Sequence, residues 1–500
     1  MKMSNKIKFY IDEKIPTSGN MEAYLISDQW NDFSYRTLFE MVLFDQHGNR
    51  REIGYIKIAF KGQEEYIHTK TKIKSGFLNL GEEFFSLGQD VDFYQNLANL
   101  DESVKVNVLQ SLNDVVYNEK ILKSAIDEKV FDISLMRFVS ILSVREQFKR
   151  VITTNERLKK YHFKLDIIDE KPCSIDFKVD HKDIIPSNVH VLIGRNSVGK
   201  TYVLKNMVKS LVDKNYDGRY SFSNLMDSKS GNPIFSGVVS VSFSAFDSFD
   251  VLDKREKIRY SYVGLKKETD NGLSLKNSSE LELEFSDSLW SCIALGKVER
   301  WRKSIDYLNL DVGFNSQSLI EDLCKLVDIV NEDEFKYCSK HVFGNLSSGH
   351  AIVLLTLTKL IEEVEEKTLV IIDEPECHLH PPLLSAFTRA LSSLLIERNG
   401  VAIVATHSPV IVQEVPQKCV WKLNRFGKRF RFDRPSIQTF GENIGILTRD
   451  IFGLEVQNSG FNNVVKDINK SIRSESDFYS LWDQLGSEAK IMLQMLKIDK

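Results

Sequence analysis

The chain runs to 500 residues, of which 42% are hydrophobic and 27% charged, with 66 Lys and Arg against 70 Asp and Glu and a formal net charge of −4. It is too apolar for a disordered chain and long enough for about three packed domains. The near balance of charge excludes a protein that coats nucleic acid over its whole surface, while leaving room for local basic patches that contact phosphates.

No apolar segment follows the opening Met1-Lys2-Met3-Ser4-Asn5-Lys6, and no later stretch approaches the ~20 apolar residues of a membrane span, so a cytoplasmic protein without membrane attachment is expected. Residues 37–44 and 53–60 carry strand signals around a turn at 45–50, which predicts a β-hairpin. From 92 to 152 the pattern becomes helical, with Leu97, Leu100, Val104, Val108, Leu109, Leu112 and Val116 recurring at three- and four-residue steps. Residues 1–160 are thus expected as a strand and helix region, whose strands are open to membership of the domain that follows. Short strands at 162–168 and 174–179 lead into that domain, a core over 161–249.

Within it the apolar run Val189-His190-Val191-Leu192-Ile193 is followed directly by Gly194-Arg195-Asn196-Ser197-Val198-Gly199-Lys200-Thr201, and then by a helical pattern from Tyr202 onward. A strand, a glycine-bounded loop and a helix in this order make a phosphate-binding loop. Gly194 and Gly199 let the backbone wrap closely, and the N–H groups from Gly194 to Tyr202 form an anion nest at a helix N-terminus. Lys200 is expected on the β- and γ-phosphates, and Thr201 on Mg²⁺. ATP or GTP is the implied ligand.

Residues 250–343 contain a polar linker at 266–279 and helical runs near 289–308 and 319–330. Without sustained heptads they predict a compact helical insertion rather than a rod. Three further segments lie in the second core region, 344–500. Asn345-Leu346-Ser347-Ser348-Gly349-His350 opens a helix that Ser347 is able to cap, leaving free N–H groups and Gly349 as a second anion grip. Leu369-Val370-Ile371-Ile372-Asp373-Glu374 is a buried strand ending in two acids, with Asp373 suited to Mg²⁺ and Glu374 to polarising the attacking water. Val401-Ala402-Ile403-Val404-Ala405-Thr406-His407 is another buried strand ending in a histidine.

Phosphate loop, Leu346-Ser347-Ser348-Gly349-His350, acid pair and His407, in that order and with Asn196 inside the loop, resemble ABC-type and SMC-like ATPases over roughly the last two-thirds of the chain. The resemblance implies an α/β head with a mixed sheet and two heads sandwiching ATP. Glu374 and His407 would then be catalytic, and Ser347, Ser348 and Gly349 would act on the partner's nucleotide, in a homodimer or higher oligomer. The wording Asp373-Glu374-Pro375-Glu376-Cys377-His378-Leu379-His380-Pro381 is similar to overcoming-lysogenization-defect ATPases. The runs from Asn399 to Pro409 and Phe440-Gly441-Glu442-Asn443-Ile444-Gly445 resemble the ATPase subunit of Septu anti-phage systems, which implies an HNH nuclease partner and a DNA target. One departure bears on turnover: ABC heads carry a γ-phosphate-sensing glutamine after the strand following the first helix, and here Ser244 or Asp247 stands in that region.

No HNH or Toprim pattern appears in this chain. The six cysteines lack paired short spacing and read as reduced thiols, and Cys377, His378 and His380 belong to the acid-pair wording rather than to a metal site. Two basic patches are candidates for DNA, equally well explained as solvated faces. One is Lys422, Arg425, Lys428, Arg429, Arg431 and Arg434 interleaved with Phe426, Phe430 and Phe432; the other is Lys297, Arg300, Arg302 and Lys303. A DNA-repair ATPase of RecF or SMC type, acting without a nuclease subunit, is the nearer alternative function, and a transporter ATPase the more distant one.

Overall fold

A computed structural model describes residues 6–28, 32, 34–156, 158–168, 172–226, 234–242, 258–269, 272–311, 314, 319–327, 329, 331–427, 429–453, 461–471 and 480–498. Ser244 and Asp247 lie outside the described residues, as does Lys428.

The alternating apolar residues of the N-terminal region build a five-stranded sheet in sequential order: β1 (Lys8–Ile11), β2 (Glu22–Ser27), β3 (Leu38–Phe44), β4 (Arg50–Phe60) and β5 (Phe84–Gly88). The expected hairpin is β3 and β4, antiparallel with a register shift between Met41 and Val42. Its strands pair within this sheet and not with the larger one. Helices α1 (Val91–Ala98), α2 (Glu102–Ser111), α3 (Glu119–Ala125) and α4 (Lys149–Thr154) cover it, burying Phe39, Phe85, Tyr94, Leu97, Val108 and Phe148 in a core of its own.

The second core forms on a seven-stranded sheet. In chain order its strands are β8 (Val189–Ile193), β10 (Gly237–Ser242), β11 (Arg259–Gly264), β14 (Thr368–Asp373), β15 (Val401–Thr406), β16 (Val420–Phe426) and β17 (Arg429–Asp433). Across the sheet the order is β11-β10-β14-β15-β8-β16-β17, parallel except for the last pair. β8, β14 and β15 are buried along their whole lengths, as their unbroken apolar sequences require of strands covered on both faces. On one face lie α5 (Lys200–Val212) and a small antiparallel sheet of β6 (Tyr161–Ile167), β7 (Cys173–Val179) and β9 (Tyr220–Asn224). The other face carries α6 (Ser278–Ala294), α7 (Val298–Asp306), α8 (Leu319–Leu326), α9 (Glu332–Gly344), α10 (Ser348–Glu363) and α11 (Pro381–Glu397), which share one core with the alternate side chains of the same strands.

The stretch from 250 opens differently from the helical expectation. β11 joins the main sheet beside β10, and the polar linker folds as a hairpin of β12 (Lys266–Thr269) and β13 (Gly272–Leu275). The helices follow from Asn277, whose side chain and Glu280 form a reciprocal cap at the start of α6. β-branched and aromatic residues at Tyr260, Tyr262 and Val263 suit a strand, and the short polar spacing had masked them.

Ion pairs tie the two cores together. Asp90, the N-cap of α1, accepts from Arg300 at 2.7 Å and from Arg398, while Arg150 binds Glu366 at 2.8 Å and Glu146 binds Lys367. This corrects the second basic patch. Arg300 is buried against Asp90 and Lys297 against the Glu362 carbonyl at 2.8 Å, so these two hold the fold, whereas Arg302 and Lys303, paired with Glu299 and Glu397, remain partly exposed. Among the described residues, α12 (Pro409–Gln413) precedes β16, and α13 (Ile444–Phe452), α14 (Phe461–Ser471) and α15 (Ser487–Ile498) follow β17. Among the described residues no helix is long and apolar enough to cross a membrane.

Candidate functional site

β8 ends at Ile193, and the backbone turns at once into a loop that only small residues permit. A Cβ on Gly194 would stand 2.5 Å from the Leu423 carbonyl of β16. Gly199 has φ of +103° and is the N-cap of α5, and Ser197 also lies in the left-handed region at φ 65°. Asn196, Ser197, Gly199, Lys200, Thr201, Tyr202, Lys205 and Glu374 line an open cleft of about 490 Å³. Arg195 turns its guanidinium to the Phe452 carbonyl, 3.4 Å away, and Val198 packs beneath the loop at 9% exposure.

Lys200 is almost wholly buried. Its Nζ donates to the carbonyls of Gly194 at 3.1 Å and Arg195 at 3.2 Å and lies 3.2 Å from Glu374 Oε1. The sheet explains the last contact. β14 lies two strands from β8, with β15 between them, and all three run parallel, so their carboxyl ends share one edge. Asp373, the last residue of β14, is buried, and Glu374 follows at φ 44° and ψ 60°. A left-handed glutamate costs on the order of 1 kcal/mol or more, and such strain collects at functional positions.

β15 brings His407 to the same edge. Its Nδ1 stands 3.7 Å from Glu374 Oε1 and 3.0 Å from Glu376 Oε1. Glu376 is nearly buried and also accepts from the Thr406 hydroxyl at 2.6 Å and the His407 backbone N–H at 2.7 Å. One carboxylate therefore fixes both the backbone and the ring of His407. Glu376 has no expected role in the acid-pair wording, and Lys205 enters the cleft from the same face of α5 as Thr201, four residues on.

Ser347 caps α10, its Oγ accepting from the His350 N–H at 3.4 Å. Ser347, Ser348 and Gly349 do not line the phosphate-loop cleft of their own chain. Gly349 is there for space: a Cβ would stand 2.7 Å from the His378 carbonyl.

The hairpin β16–β17 forms one end of the sheet beside the loop. The Phe430 ring approaches Gly199 and stacks on Tyr202 with centroids 6.3 Å apart, and the Arg425 guanidinium sits 5.6 Å from the Phe430 centroid. Much of the hairpin's expected basic charge is already paired. Lys422 binds Asp450 at 3.2 Å, Arg431 binds Asp433 at 2.8 Å, and Arg434 lies 3.5 Å from the Trp421 ring centroid. Arg425 and Arg429 keep the exposed face. The six cysteines are free thiols, and no cluster of three metal-ligating side chains occurs among the described residues.

Residues 267–413 match the family described as "AAA domain, putative AbiEii toxin, Type IV TA system". The match takes in both acids, His407 and the Ser347 turn, and begins after the phosphate loop. Over 513 aligned positions the chain is 38% identical to protein ea59 of Escherichia phage lambda, covering 97% of each protein. Among solved structures, the ATP-binding cassette MJ1267 of an ABC transporter aligns with 60% of this chain and 100% of its own at 11% identity and a TM-score of 0.32. UvrA2 from Deinococcus radiodurans aligns with 57% of this chain and 38% of its own at 13% identity and a TM-score of 0.28.

Proposed function

The chain belongs to the family of phage lambda protein ea59; from that premise we propose that it is an ABC- and SMC-like P-loop ATPase that hydrolyses ATP in a site that two heads complete together. The observation that carries this reading is the convergence of Lys200, Glu374, Glu376 and His407 at one edge of the sheet.

Lys200 would bind the β- and γ-phosphates, with the loop N–H groups from Gly194 to Tyr202 as further donors. Thr201 opens α5 at the loop, and Asp373 is a buried carboxylate at the end of β14, on the same edge of the sheet, so a hydroxyl and a carboxylate fit a hard, oxygen-seeking ion such as Mg²⁺. Bound there, Mg²⁺ supplies charge neutralisation on the phosphate oxygens. Glu374 would orient and polarise the attacking water. His407, held by Glu376, would contact the γ-phosphate, and Ser347, Ser348 and Gly349 would reach the nucleotide of a second copy.

We further propose that this ATPase is the nucleotide-sensing subunit of a cytoplasmic anti-phage complex whose cutting subunit is a separate HNH nuclease acting on DNA. Its support is the wording from Asp373 to Pro381 and of the C-terminal runs, together with a relative that a phage carries. A phage-borne copy fits defence of a resident phage against competitors. Mass spectrometry of proteins co-purifying with the tagged chain from its host tests the assignment. A small HNH protein is the expected finding, whereas a membrane permease overturns it and no partner at all favours a self-sufficient DNA-repair ATPase.

A further inference from the structure

Asp311 follows a short turn (Tyr307–Leu310) in the segment inserted between the two halves of the head, and is 3% exposed. Its two oxygens serve two histidines. Oδ1 lies 3.1 Å from His350 Nε2 and Oδ2 lies 2.7 Å from His380 Nε2. His350 is in the first turn of α10, immediately after Ser347-Ser348-Gly349, and its ring packs against Phe314 with centroids 4.5 Å apart. His380 is the N-cap of α11, at the end of the loop that begins with Glu374. Gly349 and the His378 carbonyl meet between the same two segments.

A buried carboxylate that accepts from both imidazole Nε2–H groups fixes both rings. The turn at Ser347 and the loop behind Glu374 are thereby held to a single anchor from the insertion. We propose that Asp311 is a positioning residue for the turn at 347–350: it sets the shape with which one head grips the nucleotide of the other, and couples that grip to Glu374 of its own head. This rests on the reading above that the turn acts across a dimer.

The test is complementation between two variants of the full chain. Asp311→Asn alone should retain ATP binding to its own phosphate loop and lose at least roughly tenfold in turnover, the order of effect expected when a positioned group is displaced. Lys200→Ala alone should be inactive through its loop. Mixed, each heterodimer contains one complete composite site, formed by the intact loop of the Asp311→Asn copy and the intact turn of the Lys200→Ala copy. About half the dimers of a one-to-one mixture are mixed, each with one of its two sites complete, so turnover should rise above either variant alone to roughly a quarter of wild type. A folding defect in Asp311→Asn would not be rescued in this way. Should that variant misfold, His380→Ala, at a half-exposed position, removes one of the two bonds and should complement in the same manner.

A control mixture of Ser347→Arg with Lys200→Ala separates the two layers. If the control fails to complement, the dimer reading falls and takes the role of Asp311 with it. If the control complements while Asp311→Asn, or His380→Ala where the first is unfolded, shows wild-type turnover or no rescue, only the role of Asp311 is overturned.

Discussion

Lys200 and Glu374 form an ion pair across the phosphate-loop cleft, Nζ to Oε1 at 3.2 Å, with the lysine side chain 3% exposed. The cation that would hold a γ-phosphate is thus in contact with the carboxylate that would direct water at it. A negatively charged phosphate and the glutamate compete for the same ammonium. Glu374→Gln is therefore expected to keep ATP binding, tighten it by up to about fivefold if the pair contributes about 1 kcal/mol, and accumulate an ATP-bound dimer. Light scattering checks this: equal masses for the variant with and without Mg-ATP would sink it.

Lys200→Ala removes the ammonium together with its bonds to the Gly194 and Arg195 carbonyls. Loss of nucleotide binding, by more than about a hundredfold in Kd, is expected from deleting a largely buried charged donor. Titration with a fluorescent ATP analogue decides it, and near-native affinity would refute the assignment of the loop.

Glu376 meets His407 at its backbone N–H and its ring and the neighbouring Thr406 at its hydroxyl, so Glu376→Ala should act through the histidine. The expected result is turnover lowered by about ten- to a hundredfold, the range for a misplaced acid–base or orienting group, with ATP affinity within about twofold of wild type. A matching loss in His407→Ala, and no further loss in the double variant, would identify one functional unit. Additive losses would separate the two residues.

Asp90 is the shared partner of Arg300 and of Arg398, a side chain with no exposed surface. Its replacement by Ala strands two buried guanidinium groups at the seam between the N-terminal sheet and the head. Breaking a buried pair by removing one partner costs about 3–5 kcal/mol. A lowered Tm with an early transition of the N-terminal region is expected, and an unchanged melting curve would show that the seam does not depend on this cluster.

Burial pushes the Asp114 carboxyl from 3.8 up to about 7, against hydrogen bonds from the Tyr117 and Val116 N–H groups and the Tyr94 hydroxyl. The folded chain keeps a proton that the unfolded chain releases near pH 4. Between about pH 4 and 7 the native state binds more protons, so stability falls as pH rises, with a slope approaching about 1.4 kcal/mol per pH unit from this group. Asp114→Asn is neutral throughout and lacks that slope. Denaturant unfolding at about pH 5 and about pH 8 should show the variant gaining on wild type at the higher pH, and a pH-independent difference would contradict the shift.

The local elements were legible wherever their cause is local. Residues 189–193, 369–373 and 401–406 read as buried strands because a parallel strand covered on both faces must be apolar throughout. The glycine-bounded turn at 194–199 was equally plain, since its backbone demands appear in consecutive residues. β11 and the β12–β13 hairpin were not, because short polar strands have weak periodicity and take their stability from neighbours.

What the sequence by itself determined is that residues 189–193, 369–373 and 401–406 are buried strands, and that the loop after the first of them has the form to cradle phosphate. Tertiary structure alone decided that β14 lies two strands from β8, so that Lys200 meets Glu374. It alone turned Lys297 and Arg300 from an apparent basic patch into buried partners of Glu365 and Asp90, and joined His350 to His380 through Asp311. Periodicity and spacing act over one or two turns of chain, whereas these contacts link residues dozens to hundreds of positions apart, and only packing the two faces of the sheet selects which distant charges meet.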